Sequence, residues 1–348
     1  MNKSPLPLVV MTNVVFPETV ALFEGVARVV VNDRPEPWPA DVMREHCREA
    51  VGLMAFMTDR IDGAFLDGCP RLRVVGAALK GFDNIDVEAA TRRGVQVTIC
   101  EDLLTAPSAE LAIGLMLSLG RHMLPGDAGI RDAGFGGWRP VHYGVGLADA
   151  EVGIVGFGRV GQAIAERLAG FGCRISAFDA SPGAFPERFD ASVARRGLPE
   201  LLENSDFVVL ALPLTPTTLH LIDASAISTM KTGALLINPA RGSLVDEQAV
   251  ADALEGGKLA GYAADVFECE DWARPDRPDC VNPRLRERTA STVLTPHLGS
   301  AVTRVRREIE ASAARSIIDV LSGRQPAGAI NVPADTGNGP DTEMRRTS

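Results

Sequence analysis

Glu151-Val-Gly-Ile-Val155-Gly156-Phe157-Gly158-Arg159-Val160-Gly161 reads as a short apolar strand, Glu151–Val155, running into a glycine-rich turn. A helix is predicted to open there and to continue to about Phe171. In such a turn the first glycine permits the tight reversal and the second lets a pyrophosphate approach the backbone. The third allows close helix–strand packing, while the N–H groups of the helix start face the phosphates. A lone GxGxxG carries little weight, but here an acid stands at the expected distance. Asp179 follows Gly161 by eighteen residues, at the end of the next predicted strand, Arg174–Phe178. A carboxylate there accepts hydrogen bonds from ribose hydroxyls and repels a 2′-phosphate, and neither Ala180 nor Ser181 offers a cation. The expected cofactor is NAD.

Strand–helix alternation extends on both sides of this turn. Beyond it, Phe207–Ala211, Ala234–Asn238 and Gly261–Asp265 read as strands of the same domain. Before it, Leu8–Thr12, Ala27–Val31, Leu53–Ala55, Val74–Ala77 and Val95–Thr98 alternate with helical stretches that include Ala40–Glu49 and Asp86–Arg93. Such alternation marks a parallel sheet covered by helices, and two runs of it mark two doubly wound α/β domains. The cleft between two such domains is the default place for chemistry. An apolar helix, Pro107–His122, joins the two runs, and the Gly- and aromatic-rich segment Asp127–Gly146 reads as an irregular arm. A last helix, Val302–Leu321, precedes a tail expected to be disordered over residues 336–348.

At 348 residues and 46% hydrophobic, the chain is long enough for two domains and too apolar to be disordered. A formal net charge of −10 speaks against general nucleic-acid or anionic-membrane binding. Its longest apolar run, Leu111–Gly120, is half of the ~20 residues that a bilayer needs. The six cysteines form no CxxC pair, so neither a zinc site nor a disulfide framework is expected and the chain reads as cytoplasmic. Of the 35 basic residues only four are lysines, at positions 3, 80, 231 and 258.

Three later segments place reactive residue types just after strands of the dinucleotide domain, where open α/β sheets bind ligands. They are Asn238-Pro-Ala-Arg241-Gly-Ser243, Asp265-Val-Phe-Glu268-Cys-Glu270-Asp271-Trp272 and Thr295-Pro-His297-Leu-Gly299-Ser300. Arg241 offers a planar fork for an oxyanion. His297 is the acid/base candidate, and Glu270 or Glu268 could orient its ring. His46, His122, His142 and His220 lack such a setting and read as surface or packing residues.

These segments resemble the D-isomer-specific 2-hydroxyacid dehydrogenase superfamily, and the resemblance runs from about residue 8 to 332. It implies a Rossmann dinucleotide domain, residues 103–298, inserted into a flavodoxin-like substrate domain made of 1–102 and 299–335. The family's Arg, Glu and His fall on Arg241, Glu270 and His297, so its register favours Glu270 over Glu268. NAD contacts are implied for Gly156 to Gly161, Asp179, Pro213, Ala240, Arg241, Asp265, His297 and Gly299. Within the superfamily the closer likeness is to the phosphonate (phosphite) dehydrogenase branch. It is carried by Met54-Ala-Phe-Met57, Lys80-Gly-Phe-Asp-Asn-Ile-Asp86, Trp138 with Tyr143, Glu268-Cys-Glu-Asp-Trp-Ala-Arg274 and His297-Leu-Gly-Ser-Ala-Val-Thr-Arg-Val-Arg306. Ordinary members usually carry a small apolar residue in place of Lys80 and Pro in place of Asp271.

That likeness implies oxidation of phosphite to phosphate, with hydride passing from phosphorus to NAD and His297 as general base. Lys80, Arg241 and Arg306 would gather the dianion, Arg306 reaching in from the partner of a homodimer. Leu79, Gly81, Met57, Leu104, Trp138, Tyr143 and Ser300 would complete the substrate pocket. The first rival is a glyoxylate/hydroxypyruvate or lactate-type dehydrogenase in which His297 acts as acid toward a carbonyl. Formate dehydrogenases pair the His with Gln, unlike Glu270. A non-catalytic NAD-sensing corepressor would use the same scaffold, but no partner-binding extension is evident.

Overall fold

In the computed structural model, which describes residues 5–334 apart from 101, 182 and 273, Glu151–Val155 is buried at every position. The chain divides into two units, residues 5–103 with 303–334, and Leu104–Val302. The second unit closes at Val302, a few residues beyond Gly299. The proposed tail, residues 336–348, lies outside the described residues.

The first unit holds strands β1 Leu8–Met11, β2 Arg28–Val31, β3 Gly52–Ala55, β4 Val74–Ala77 and β5 Gln96–Thr98. They pair in parallel in the order β2-β1-β3-β4-β5, the flavodoxin-like arrangement. The last helix, Thr303–Leu321, lies across β3 and β4. Glycines on both strands make room for it: a Cβ at Gly76 would sit 2.6 Å from Ile317 Cγ1, and one at Gly52 2.9 Å from its Cγ2. Ile317 is fully buried there. Truncating such a residue to Ala costs about 2–5 kcal/mol.

The second unit holds β6 Glu151–Val155, β7 Arg174–Phe178, β8 Val193–Arg195, β9 Phe207–Leu210, β10 Ala234–Asn238, β11 Leu259–Ala264 and β12 Thr292–Leu294. All pairs are parallel, in the order β12-β11-β10-β9-β6-β7-β8. Chain direction through the sheet reverses between β6 and β9, the switch point at which Rossmann sheets bind ligands. The edge strands β8 and β12 were not among the sequence expectations. Each has three residues, too few for an alternating pattern to stand out from loop.

One expectation is corrected outright. The arm is not irregular from Asp127 onward: Met123–Ala133 is helical, and irregular chain begins at Gly134. Pro125, Gly126 and Gly129 depress helix propensity, yet Pro125 falls in the first turn, where no N–H is needed. An Asp127–Arg131 pair at 2.7 Å spans the next turn. No residue of this helix is buried. Among the described residues, no helix is long and apolar enough to cross a membrane.

Candidate active site

The glycine turn is tight by necessity. Gly156 has φ +95°, and a Cβ there would lie 2.5 Å from Ala211 O. A Cβ at Gly161 would overlap the carbonyl of Gly156. Gly158 is the opposite case: its Cβ would meet open space, and it starts the helix Arg159–Leu168 with no side-chain cap. Unfilled room beside uncapped N–H groups is what a pyrophosphate needs. Phe157 is buried, Arg159 is exposed and Val160 is half-buried.

Asp179 folds back onto this turn. Its Oδ2 accepts the Phe157 N–H at 2.8 Å and its Oδ1 the Ser181 N–H at 2.8 Å. Partial burial works to raise the carboxyl, but these N–H groups outweigh it and hold it below its ordinary value. The cation missing at positions 180 and 181 comes instead from β8. The Arg195 guanidinium donates to the carbonyls of Ser181, at 2.6 Å, and Gly183, and lies over the Phe185 ring. Sequence distance hid it, because β8 itself was not foreseen. The turn and Asp179 fit NAD, which when bound supplies the hydride acceptor or donor.

Asp265, at the end of β11, anchors the segment that carries His297. Its carboxylate accepts the Leu298 N–H at 2.7 Å, the Gly299 N–H at 2.8 Å and the Thr295 hydroxyl at 2.5 Å. Its backbone carbonyl accepts the His297 N–H at 2.8 Å. His297 takes φ +56°, a left-handed conformation uncommon for a non-glycine residue. Burial pushes the Asp265 carboxyl up despite these donors. His297 Nδ1 stands 2.9 Å from Glu270 Oε2, and Glu270 Oε1 accepts the Phe267 N–H at 2.9 Å. A carboxylate only accepts, so Nδ1 carries the hydrogen and Nε2 is the nitrogen left for proton exchange. Glu268 turns elsewhere, to His220 Nε2 at 2.9 Å and Arg274 Nη1 at 2.9 Å. His220 is half-buried, its ring paired with Glu268.

Arg241 follows β10 and is half-buried, its Nη1 donating to Ala240 O at 2.9 Å. Asn238 Nδ2 donates to the Arg241 carbonyl at 2.7 Å, and the Asn238 side-chain oxygen accepts the Ala240 N–H at 3.1 Å. Pro213 is exposed beyond β9, and its carbonyl accepts the Thr218 hydroxyl at 2.8 Å. Ser300 is buried, and Leu104 immediately precedes the helix Thr105–Gly120. Trp138 and Tyr143 are 80% and 74% exposed in the single chain. They lie on the arm, where the chain makes no core for them.

In the first unit, Lys80 and Gly81 follow β4 and Met57 follows β3, all three half-buried. Leu79 is buried in the apolar core, so its side chain walls no open pocket. Arg306 lies on the last helix of this unit, Thr303–Leu321. Its guanidinium lies over Phe56 of its own chain, 5.8 Å from the ring centroid, and 4.0 Å from Glu310. Burial lowers its pKa, while the Glu310 and Cys100 charges work to raise it. The Cys100 N–H in turn bonds the Leu79 carbonyl at 2.9 Å, next to Lys80. Arg306 thus belongs to the same sheet edge as Lys80, because its helix crosses β3 and β4. Among the described residues, no group of three or more His, Cys, Asp or Glu is placed to hold a metal ion.

Residues 113–299 match the family described as D-isomer specific 2-hydroxyacid dehydrogenase, NAD binding domain. Over 330 residues, the chain is 36% identical to a glyoxylate reductase of Pyrococcus furiosus, covering 93% of this chain and 95% of that one. A glyoxylate reductase of Thermococcus gammatolerans is 38% identical, covering 84% of this chain and 86% of that one. Among solved structures, the TT0316 protein of Thermus thermophilus matches with a TM-score of 0.84 at 33% identity, over 93% of this chain and all of that one. Fold, glycine turn and family match together define an NAD-dependent oxidoreductase. The chain belongs to the D-isomer specific 2-hydroxyacid dehydrogenase family.

Proposed function

We propose that this enzyme oxidises phosphite to phosphate, HPO3(2−) plus NAD+ and water giving HPO4(2−), NADH and a proton. The observation that carries the reading is that Lys80 follows β4 while Arg306 lies over Phe56, which follows β3. A substrate without a carbon skeleton calls for charge more than for an apolar slot. Arg241 receives oxygens of the dianion. His297, held at Nδ1 by Glu270, uses Nε2 to take a proton from the water whose oxygen bonds phosphorus. The P–H bond gives up its hydride in the same process. A positioned base of this kind contributes ~10²–10⁴-fold.

A second reading is favoured by the names of the relatives, which are glyoxylate reductases. In it Arg241 holds the carboxylate of a 2-oxoacid, and protonated His297 gives its proton to the carbonyl oxygen as hydride arrives at carbon. The test sets NADH formation with phosphite beside that with a panel of 2-hydroxyacids and formate, and NADH consumption with glyoxylate and hydroxypyruvate. Turnover of phosphite above all others supports the first reading. Glyoxylate turnover with phosphite at background assigns the second. Silence on every substrate with tight NADH binding would make the chain an NAD sensor. The exposed apolar arm we assign to a second copy of the chain, as a homodimer; light scattering at the mass of one chain would overturn that.

A further inference from the structure

Ser243 lies two residues beyond Arg241, and each of its polar groups is taken. Its N–H donates to Asp271 Oδ2 at 2.6 Å, its hydroxyl accepts from Arg274 Nη1 at 2.8 Å, and its carbonyl accepts the His220 N–H at 2.8 Å. Asp271 is only 3% exposed. Gly242, between Arg241 and Ser243, presses on the neighbouring loop so closely that a Cβ would overlap the backbone of Phe267 and Glu268. Behind this contact Glu268 and Glu247 exchange backbone hydrogen bonds: the Glu268 N–H reaches Glu247 Oε1 at 2.9 Å, and the Glu247 N–H reaches Glu268 Oε1 at 3.1 Å. Arg274 ties Glu268 to Ser243 through one nitrogen, Nη1. The same short segment holds Glu270, the partner of His297.

We propose that Asp271, supported by Arg274, is a positioning residue: through Ser243 it fixes where Arg241 presents its fork, and it couples that fork to the His297–Glu270 pair. The segment Glu268–Arg274 is then a clamp with two outputs, one to the proton-handling pair and one to the oxyanion ligand. The proposal rests on the assignment of Arg241 to the substrate oxyanion and holds for phosphite and 2-oxoacid alike. A buried carboxylate accepting a backbone N–H is a charge-assisted bond, worth more than a neutral one.

The experiment measures binding of phosphite and of oxalate to NADH-loaded enzyme by calorimetry, with KM and kcat on the substrate that turns over. The proteins are wild type, Asp271→Ala, Asp271→Asn, Arg241→Ala and the Asp271→Ala/Arg241→Ala double variant. Asp271→Ala is expected to weaken anion binding and raise KM about tenfold or more, with NADH affinity unchanged. Asp271→Asn, which keeps an acceptor in place, is expected to stay within about threefold. In the Arg241→Ala background the Asp271 substitution should add nothing further, since its effect passes through that side chain. Additive losses, or anion affinity for Asp271→Ala within about twofold of wild type, overturn the clamp while leaving Arg241 in place. Arg241→Ala with unaltered anion affinity, or a wild type that binds neither anion, removes the Arg241 assignment itself and the clamp with it.

Discussion

His297 and Glu270 meet at 2.9 Å, Nδ1 to Oε2, and each is fixed from behind: His297 through Asp265, Glu270 through the Phe267 N–H. The carboxylate cannot turn away from the ring without breaking its second bond as well. Glu270→Gln would keep the shape but allow the amide to present either oxygen or nitrogen to Nδ1, releasing the tautomer. We expect kcat to fall about 10²–10³-fold with NADH affinity unchanged. A kcat within about threefold of wild type, roughly the size of a surface substitution, would remove Glu270 from the proton-handling pair.

Asp179 holds the glycine turn through the Phe157 N–H, and Arg195 reaches the same loop, held over Phe185. Replacing Asp179 with Ser should remove the repulsion that opposes a 2′-phosphate and leave a cation in reach. We expect kcat/KM with NADP to rise about tenfold or more. Adding Arg195→Ala should return most of that gain. If the double variant uses NADP as well as the single one, Arg195 plays no part in cofactor choice.

Asp59 is buried below the Met57 segment, where its carboxylate accepts the Phe56 N–H at 2.7 Å and the Thr12 hydroxyl. Burial pushes it up to about 6, against 3.8 for the free side chain, the two hydrogen bonds only partly opposing this. The folded chain therefore binds this proton more tightly than the unfolded one. Its contribution is fully present below about pH 4 and is lost as pH rises through about 6. Relative to Asp59→Asn, the wild type should gain on the order of 2–3 kcal/mol of stability between about pH 7 and pH 4, read by urea denaturation of both proteins. A stability gap that stays flat over that range would contradict the assignment.

Gly242 has no room for a side chain against Phe267 and Glu268. Gly242→Ala must push the Arg241 and Glu270 loops apart, and backbone on the far side has nowhere soft to yield. We expect a loss of about 1–3 kcal/mol in thermal or chemical denaturation, with KM for the anion raised in whatever protein folds. Gly158→Ala is the control, since its Cβ enters open space: stability should hold while NADH affinity falls.

Much of this protein was legible in its sequence because the signals are local. The features that define the dinucleotide turn lie within the consecutive residues Glu151–Gly161: a strand, three glycines whose spacing follows from backbone sterics, and a helix start. The acid at Asp179 stands one strand away, and strands β4, β6, β7 and β10 begin and end where apolar patterning puts them. Arg241 and Glu270 follow β10 and β11, both expected from the sequence, so their placement at the sheet's carboxyl edge also came from the chain alone; His297 follows β12, which the sequence did not show.

Only the tertiary structure decided what those residues lean on. Glu268 and Glu270 are two residues apart and chemically alike, yet one turns to His220 and Arg274 and the other to His297. Arg195 reaches the Asp179 loop from an edge strand too short to show a pattern. Arg306 lies over Phe56 of its own chain because Gly52 and Gly76, far away in sequence, let its helix sit flat on β3 and β4. Periodicity and spacing fix elements and the edges from which side chains project. Partners drawn from strands and helices distant in sequence are chosen by packing, which no local pattern encodes.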